Sequence, residues 1–177
     1  MTQLPFPLKG KIYRSPMPFG TYDQDGVVLD EYFEKQISVI VSLASPGECE
    51  EKAHRDLYGL YREKGFDVVS LPVEDYSVPR IQALTEAVNA VIGHAGAGRN
   101  VVVHCSAGQG RTGTFMACMA RQVMGLSGDE AIGWVRRYIP GAVETELQEK
   151  RVREYVVRGG NDIPVKRQDL QNLRSRG

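Results

Sequence analysis

The stretch of sequence that decides the fold is NVVVHCSAGQGRTG, residues 100–113. Its first part, Asn100–His104, is apolar and β-branched, which is typical of a buried strand. Glycines follow at 108, 110 and 113, and a helical pattern begins near Arg111. Such a loop can point successive backbone N–H groups inward, and the positive end of the next helix adds to the same place. The stretch therefore predicts a strand, an anion-binding loop and a helix.

Cys105 and Arg111 stand at the two ends of this loop. Amide donors and a nearby arginine favour a thiolate over a thiol, and a thiolate that faces a bound phosphate is a nucleophile. The planar guanidinium of Arg111 can hold two phosphoryl oxygens at once. The hydroxyl of Thr112 can then donate a hydrogen bond to the thiolate as it departs. This spacing predicts phosphate chemistry through a cysteine.

Two other interpretations of the loop compete with this one. The glycines also match the G-x-G-x-x-G pattern of dinucleotide sites, but no second strand follows that ends in an acidic residue about 20 positions on. A free cysteine is often only a small buried apolar residue. That description suits Cys118, which lies in an apolar helical stretch, better than a cysteine that opens a glycine loop.

The chain on either side of the loop predicts alternating strands and helices. Apolar spacing at positions 53, 57, 60 and 61 fits one helix face, and spacing at 84–92 fits another. Buried strands separated by helices indicate an α/β fold, in which a central, mostly parallel sheet is flanked by helices in three layers and binds ligands at the carboxyl ends of its strands. The predicted strands are residues 38–43, 66–71 and 100–104, and the later predicted helices are residues 111–124, 127–139 and 145–157.

Composition limits the classes of function. The chain has 177 residues, 42% of them hydrophobic, and its 22 basic and 22 acidic side chains give no net charge. This favours one domain, residues 1–158, with a polar tail at 159–177, and argues against a nucleic-acid or anionic-membrane binder. The first residues fit neither a signal peptide nor a membrane span, so we expect a cytoplasmic protein. Three cysteines without a C-x-x-C pair support neither a disulfide framework nor a zinc site.

The loop and two other segments resemble a known family. HCSAGQGRTGT, residues 104–114, resembles the Cys-x5-Arg signature of the cysteine-dependent protein tyrosine phosphatases, and its position in mid-chain is similar to the small atypical dual-specificity branch. LPVEDYSVP, residues 71–79, resembles the general-acid loop of that family, which implies that Asp75 is the acid. ETELQE, residues 144–149, resembles the glutamine loop, which implies that Gln148 orients water. The resemblance covers about residues 11–157.

The resemblance implies a phosphomonoesterase that needs no metal or organic cofactor. Cys105 would be the nucleophile, Arg111 the phosphate clamp and Asp75 the acid and base. The loop interior carries no Lys or His, which favours a phosphoprotein substrate, and a shallow pocket would take phosphoserine and phosphothreonine as well as phosphotyrosine. A phosphoinositide or RNA phosphate, or an inactive phosphate-reading module, is the alternative. The residues expected to bind or assist are Ser106, Ala107, Gly108, Gln109 and Gly110 for binding, and His104, Thr112 and Gln148 as auxiliaries.

The residues alone leave several of these assignments open. Asp75 fits an ordinary turn before Pro79 as well as it fits an acid. Gln148 fits a solvated helix position, and His104 fits a hydrogen-bonded core histidine that tunes the cysteine. Cys49 fits an incidental surface cysteine or a thiol that forms a disulfide with an oxidised Cys105.

Overall fold

A computed structural model describes residues 1–157, and in them five strands form one sheet in the order β1-β2-β5-β3-β4. The strands are β1 (Thr2–Leu4), β2 (Ile12–Ser15), β3 (Ile37–Ser42), β4 (Asp67–Ser70) and β5 (Asn100–His104). All neighbouring pairs are parallel except β1 with β2, which is antiparallel at the edge of the sheet. The predicted, mostly parallel sheet is confirmed.

Strand β5 lies at the centre of the sheet and fixes where the site can form. His104, its last residue, is in register with Ser15 at the end of β2 and with Ser42 at the end of β3. The carboxyl ends of three parallel strands therefore meet at one point. The glycine-containing loop starts there, at the edge where ligands bind in sheets of this kind.

Helices cover both faces of the sheet. Alternate side chains of one strand point to opposite faces, so Val101 and Val103 join a core with α4–α7 whereas Val102 joins a second core with α1–α3. The predicted three-layer α/β fold is confirmed. The helices within residues 1–157 are α1 (Val27–Glu34), α2 (Pro46–Ala53), α3 (Leu57–Glu63), α4 (Ile81–Gly96), α5 (Gly110–Met124), α6 (Gly128–Arg136) and α7 (Glu146–Glu154).

Helix α5, which follows the loop, is buried at every residue except Arg121. A helix that is buried all round lies in the interior of a fold rather than on its surface. Cys118 is among these residues, and burial raises the pKa of its thiol to about 12. The loop is thus attached to the central strand at one end and to an enclosed helix at the other.

The structure corrects several predicted elements. The single helix expected across residues 53–61 is wrong, because α2 ends at Ala53, His54 adopts a left-handed φ of 52°, and α3 starts at Leu57. Helix α6 ends at Arg136 rather than 139, and α7 spans only Glu146–Glu154. Strand β1 and helix α1 were not predicted. The tail predicted at 159–177 lies outside the described residues. Over residues 1–157, no helix has the length and apolar character needed to cross a membrane.

Candidate active site

The loop after β5 folds back onto the sulfur of Cys105. This side chain is only 3% exposed, and its Sγ accepts a hydrogen bond from the backbone N–H of Gly108 at 3.3 Å. Gly108 has a φ of 74°, and a Cβ at this position would collide with the carbonyl oxygen of Ser15. The carbonyl of Ser106 accepts from the N–H of Met17 at 2.9 Å, which ties the loop to the end of β2. The glycine therefore allows the loop to lie against the sheet with a donor on the sulfur.

His104 is fully buried beneath the loop. Its Nδ1 lies 3.1 Å from the carbonyl oxygen of Cys105, and its Nε2 lies 3.1 Å from the Tyr61 hydroxyl. A carbonyl only accepts, so Nδ1 carries the proton and Nε2 accepts from Tyr61. Burial lowers the pKa of His104 to about 4, which leaves the ring neutral at pH 7. His104 therefore contacts the backbone of Cys105 as a neutral hydrogen-bonded ring.

Arg111 is clamped by Glu48 of α2. Its two terminal nitrogens donate to the two carboxylate oxygens of Glu48 at 2.7 and 2.8 Å, and Nη1 also donates to the carbonyl of Val73 at 2.9 Å. Burial of Arg111 lowers its pKa, but the hydrogen bonds to Glu48 and the surrounding negative charges outweigh burial and raise the pKa above its usual range. A two-point contact of this kind fixes the plane of the guanidinium.

Asp75 reaches the same arginine from the loop after β4. Its Oδ1 lies 3.2 Å from Nη2 of Arg111, and its Oδ2 lies 3.9 Å from Nζ of Lys52. The carboxyl is 47% exposed and lines the same pocket as Cys105. Glu74 is also exposed, and among the described residues it makes no ion pair. The structure therefore brings Asp75, and not Glu74, to the cysteine loop.

Gln148 connects the loop that carries Asp75 to helix α7. Its side-chain oxygen accepts from the N–H of Glu144 at 2.8 Å, and its side-chain nitrogen donates to the carbonyl of Ser77 at 3.3 Å. The hydroxyl of Thr145 donates to the carbonyl of Tyr76 at 3.3 Å. Gln148 is fully buried, so the solvated-position interpretation is wrong. These contacts hold the loop of Asp75 in place.

Two buried donors lie beside the loop without a partner within residues 1–157. They are Nε of Arg111 and the hydroxyl of Thr112. Buried donors are nearly always hydrogen-bonded in proteins, so an unpaired one calls for an explanation. The Thr112 hydroxyl makes no hydrogen bond to the sulfur of Cys105 in this conformation.

The predicted binding residues line a pocket of about 190 Å³, with the exception of Gly108, whose N–H donates to the sulfur of Cys105. His104, Thr112 and Gln148 lie behind this pocket and do not line it. No group of three or more His, Cys, Asp or Glu side chains in the described part of the chain is arranged to hold a metal ion. The lining residues are Thr21, Tyr22, Lys52, Asp75, Tyr76, Cys105, Ser106, Ala107, Gln109, Gly110, Arg111 and Glu144.

Sequence reasoning missed Glu48 and Lys52. Both lie in the segment after β3, at the same carboxyl edge as the cysteine loop. The signal was Ser45-Pro46 followed by Glu48, a helix start in which the Ser45 hydroxyl accepts from the N–H of Glu48. Cys49, the next residue, is fully buried, and burial raises its pKa to about 11. The surface-cysteine interpretation of Cys49 is therefore wrong, and its pairing with Cys105 stays a prediction.

Comparisons with known proteins agree with this geometry. A family model described as "Tc-R-P: Polymorphic toxin system, DSP-PTPase phosphatase" matches residues 23–123. The tyrosine-protein phosphatase cdc-14 of Caenorhabditis elegans is 34% identical over 122 residues, which are 69% of this chain and 16% of that protein. The phosphatidylglycerophosphate phosphatase PTPMT1 of Arabidopsis thaliana is 31% identical over 97 residues, 54% of this chain and 29% of that protein.

Solved structures show the same relationship. The crystal structure of Tk-PTP in its active form is 28% identical and has a TM-score of 0.67, with 82% of this chain and 92% of that one covered. The alignments with the first curated relatives span between about a sixth and three fifths of those proteins' own length. The family match covers more than half of the chain. The chain therefore belongs to the DSP-PTPase phosphatases, the dual-specificity branch of the cysteine-dependent protein tyrosine phosphatase superfamily.

Proposed function

We propose that this phosphatase hydrolyses phosphomonoesters on proteins through a cysteinyl-phosphate intermediate formed on Cys105. The observation that carries the proposal is that a buried sulfur with an amide donor, the guanidinium of Arg111 and the carboxyl of Asp75 share one pocket. In the first step, the thiolate of Cys105 attacks phosphorus and the bond from phosphorus to the ester oxygen breaks. In the second step, water attacks phosphorus and the sulfur–phosphorus bond breaks, which restores the thiolate.

Arg111 would hold the phosphoryl group through both steps. Its unpaired Nε–H supports this role, because a phosphoryl oxygen beside the loop would supply the partner that the buried donor lacks. Glu48 fixes the guanidinium before the substrate arrives, so little reorganisation is needed as charge develops on the phosphoryl oxygens. Glu48 is therefore a positioning residue that acts through Arg111.

Asp75 would supply and recover the proton. It is half-exposed and lines the same pocket as the buried sulfur, so it can reach the ester oxygen of a substrate whose phosphorus faces Cys105. Protonated Asp75 gives its proton to the leaving alcohol or phenol, and the resulting carboxylate accepts a proton from the attacking water. The Thr112 hydroxyl would stabilise the sulfur as it leaves phosphorus, and the contacts of Gln148 would hold Asp75 in place. The orientation of water by Gln148 stays a prediction.

The choice of a protein substrate rests on the loop and on one relative. Residues 106–110 carry no basic side chain, whereas a polyanionic substrate would favour one there. The C. elegans relative is named as a tyrosine-protein phosphatase. A lipid phosphate is the second candidate, because the Arabidopsis relative is named as a phosphatidylglycerophosphate phosphatase.

A direct test measures hydrolysis of an aryl phosphate in the presence of a metal chelator, followed by acid quenching and mass spectrometry of the trapped intermediate. We expect turnover, with a phosphoryl group on the peptide that contains Cys105. A protein that binds phosphate without turnover would be a phosphate-reading module. Comparing kcat/KM for a phosphotyrosine peptide and for phosphatidylglycerophosphate then decides between the two substrate classes, and a higher value for the lipid would refute the protein assignment.

A further inference from the structure

A second pocket lies next to the candidate active site. It has a volume of about 410 Å³ and is formed by the loop before α1 and by the end of α2. Thr21 and Lys52 line both pockets, so a substrate that fills the first can extend into the second. The second pocket contains none of the residues that the proposed chemistry uses.

The wall of this pocket carries a fixed arginine. The guanidinium of Arg55 lies 3.8 Å from the centroid of the Phe19 ring, a cation–π distance. Phe19 itself is held against Gly26, where a Cβ would collide with the ring. The aromatic contact leaves the outward N–H donors of Arg55 available to a ligand.

One positively charged side chain at this pocket has no carboxylate partner. The ammonium of Lys52 is shared by Glu48 at 3.0 Å and Asp75 at 3.9 Å. In contrast, among residues 1–157 no carboxylate lies within ion-pair distance of Arg55 or His54. The pocket therefore presents about one unbalanced cation, which matches one carboxylate or one phosphate rather than a cluster of phosphates.

Backbone strain marks the same region. Five non-glycine residues in the described chain have positive φ, and three of them, Phe19, His54 and Tyr76, line one of the two pockets. Such conformations persist only where the surrounding structure holds them, and they concentrate at functional sites. Two of these residues, Phe19 and His54, belong to the second pocket, where they set the course of the loop before α1 and of the end of α2.

We propose that this pocket is a subsite for a second acidic group of the substrate, supplied by a Glu or Asp close in sequence to the phosphorylated residue of a protein. The inference rests on the proposed function, because it places the phosphorylated residue in the first pocket. Arg55 binds the carboxylate through charge-assisted hydrogen bonds. Thr21 lines both pockets, so the substrate chain runs past it from one pocket to the other. The subsite makes the enzyme select acidic sequences.

The test compares phosphotyrosine peptides that differ only in one residue, Glu or Ala, at positions from two before to two after the phosphotyrosine. We expect kcat/KM to be about fivefold higher for the best Glu peptide, the upper end for one exposed ion pair. Arg55→Gln should reduce that preference to less than about twofold, and Arg55→Lys should restore part of it. The matched control is Arg62→Gln, which removes an exposed arginine that lies 5.9 Å from the Tyr58 ring and lines neither pocket.

Three results would overturn the subsite: equal kcat/KM for Glu and Ala peptides in the unmodified enzyme, a preference unchanged by Arg55→Gln, or an equal loss in the Arg62→Gln control. Arg55-dependent hydrolysis of a phosphoinositide without selection among peptides would overturn the assignment to a protein substrate. Turnover of a small aryl phosphate is measured in the same variants, because this substrate is too small to reach the second pocket and so reports on the first pocket alone. Failure of that turnover would refute the proposed function, whereas its retention with a failed peptide test would refute only the subsite.

Discussion

Asp75→Asn tests the proposed acid directly, because it keeps the size of the side chain and removes the proton that the leaving group needs. We expect kcat for an aryl phosphate with a weakly acidic leaving group to fall by about 10²–10⁴, the usual contribution of a general acid. The lost contact with Arg111 cannot account for such a drop. The Asp75 carboxyl is 47% exposed, and exposed ion pairs contribute about 0–1 kcal/mol, which is at most about fivefold.

The same substitution should affect phosphate binding in the opposite direction. Asp75→Asn removes a negative charge 3.2 Å from Arg111, so inorganic phosphate should bind as well as before or up to about fivefold more tightly. A fall in kcat together with an unchanged or lower inhibition constant for phosphate therefore separates loss of the acid from damage to the pocket. Glu74→Gln is the matched control, and we expect it to change neither quantity.

The assay uses a series of aryl phosphates whose leaving groups range from weakly to strongly acidic phenols. The defect of Asp75→Asn should shrink as the phenol becomes more acidic, because such a phenolate leaves without a proton. The alkaline limb of the pH–rate profile should also flatten. A loss that is the same for every leaving group, or a leaving-group-dependent loss in Glu74→Gln, would show that the acid is misassigned.

Other substitutions test the remaining parts of the site. Cys105→Ser should lower kcat by at least about 10⁴-fold but preserve vanadate binding, which calorimetry measures. A rate above a few per cent of normal would show that Cys105 is not the nucleophile. Arg111→Lys should lower kcat/KM by about 10²–10³-fold, the scale for a lost oxyanion donor, because the point charge of a lysine cannot replace the planar guanidinium. Near-normal activity would show that another residue holds the phosphoryl group. Glu48→Gln should destabilise the fold at pH 7 by about 2–3 kcal/mol in urea unfolding, less than the 3–5 kcal/mol for fully buried pairs, because Glu48 is 15% exposed. Burial raises the pKa of Glu48, but its hydrogen bonds to Arg111 and Lys52 outweigh burial and lower the pKa. The stability that the Glu48 carboxylate contributes is therefore present above its pKa in the unfolded chain, about 4.3, and is lost as the pH falls through its pKa in the folded protein. The difference from the unmodified enzyme should therefore vanish in acid, while Glu51→Gln, exposed on the same helix, should have no effect at any pH.

The sequence predicted the centre of the fold well because the signals there are local. The β-branched run of β5, the glycines after it and the apolar helix α5 each lie within one continuous stretch. The break between α2 and α3 was missed because the apolar spacing continues across it. The break is formed by the left-handed backbone at His54 and by Asp56, whose side chain caps the start of α3, and apolar spacing carries no sign of either. Strand β1 has three residues, too few for a pattern to be recognised.

The site was predicted only where its residues are neighbours in sequence or belong to a motif. Cys105 and Arg111 are six positions apart, so their meeting on one loop follows from spacing. Glu48 meets Arg111 across 63 positions, and this contact depends on how β3 and β5 align. Gln148 was predicted from its motif, but its bond to Ser77, which crosses 71 positions, was not. Contacts between distant segments arise from packing, which a single sequence does not express as a pattern.

The loop that carries Asp75 is anchored by Thr145 and Gln148, about seventy positions later in the chain. The segment that matches the family model ends at residue 123, before either anchor. On the proposed mechanism, a protein shortened to that segment would retain sulfur, guanidinium and carboxyl, and the carboxyl would keep its ion pairs with Arg111 and Lys52, but its loop would lose both hydrogen bonds from the last helix. Capture of the phosphoryl group thus draws on the matched segment alone, whereas release of the alcohol also draws on a helix outside it.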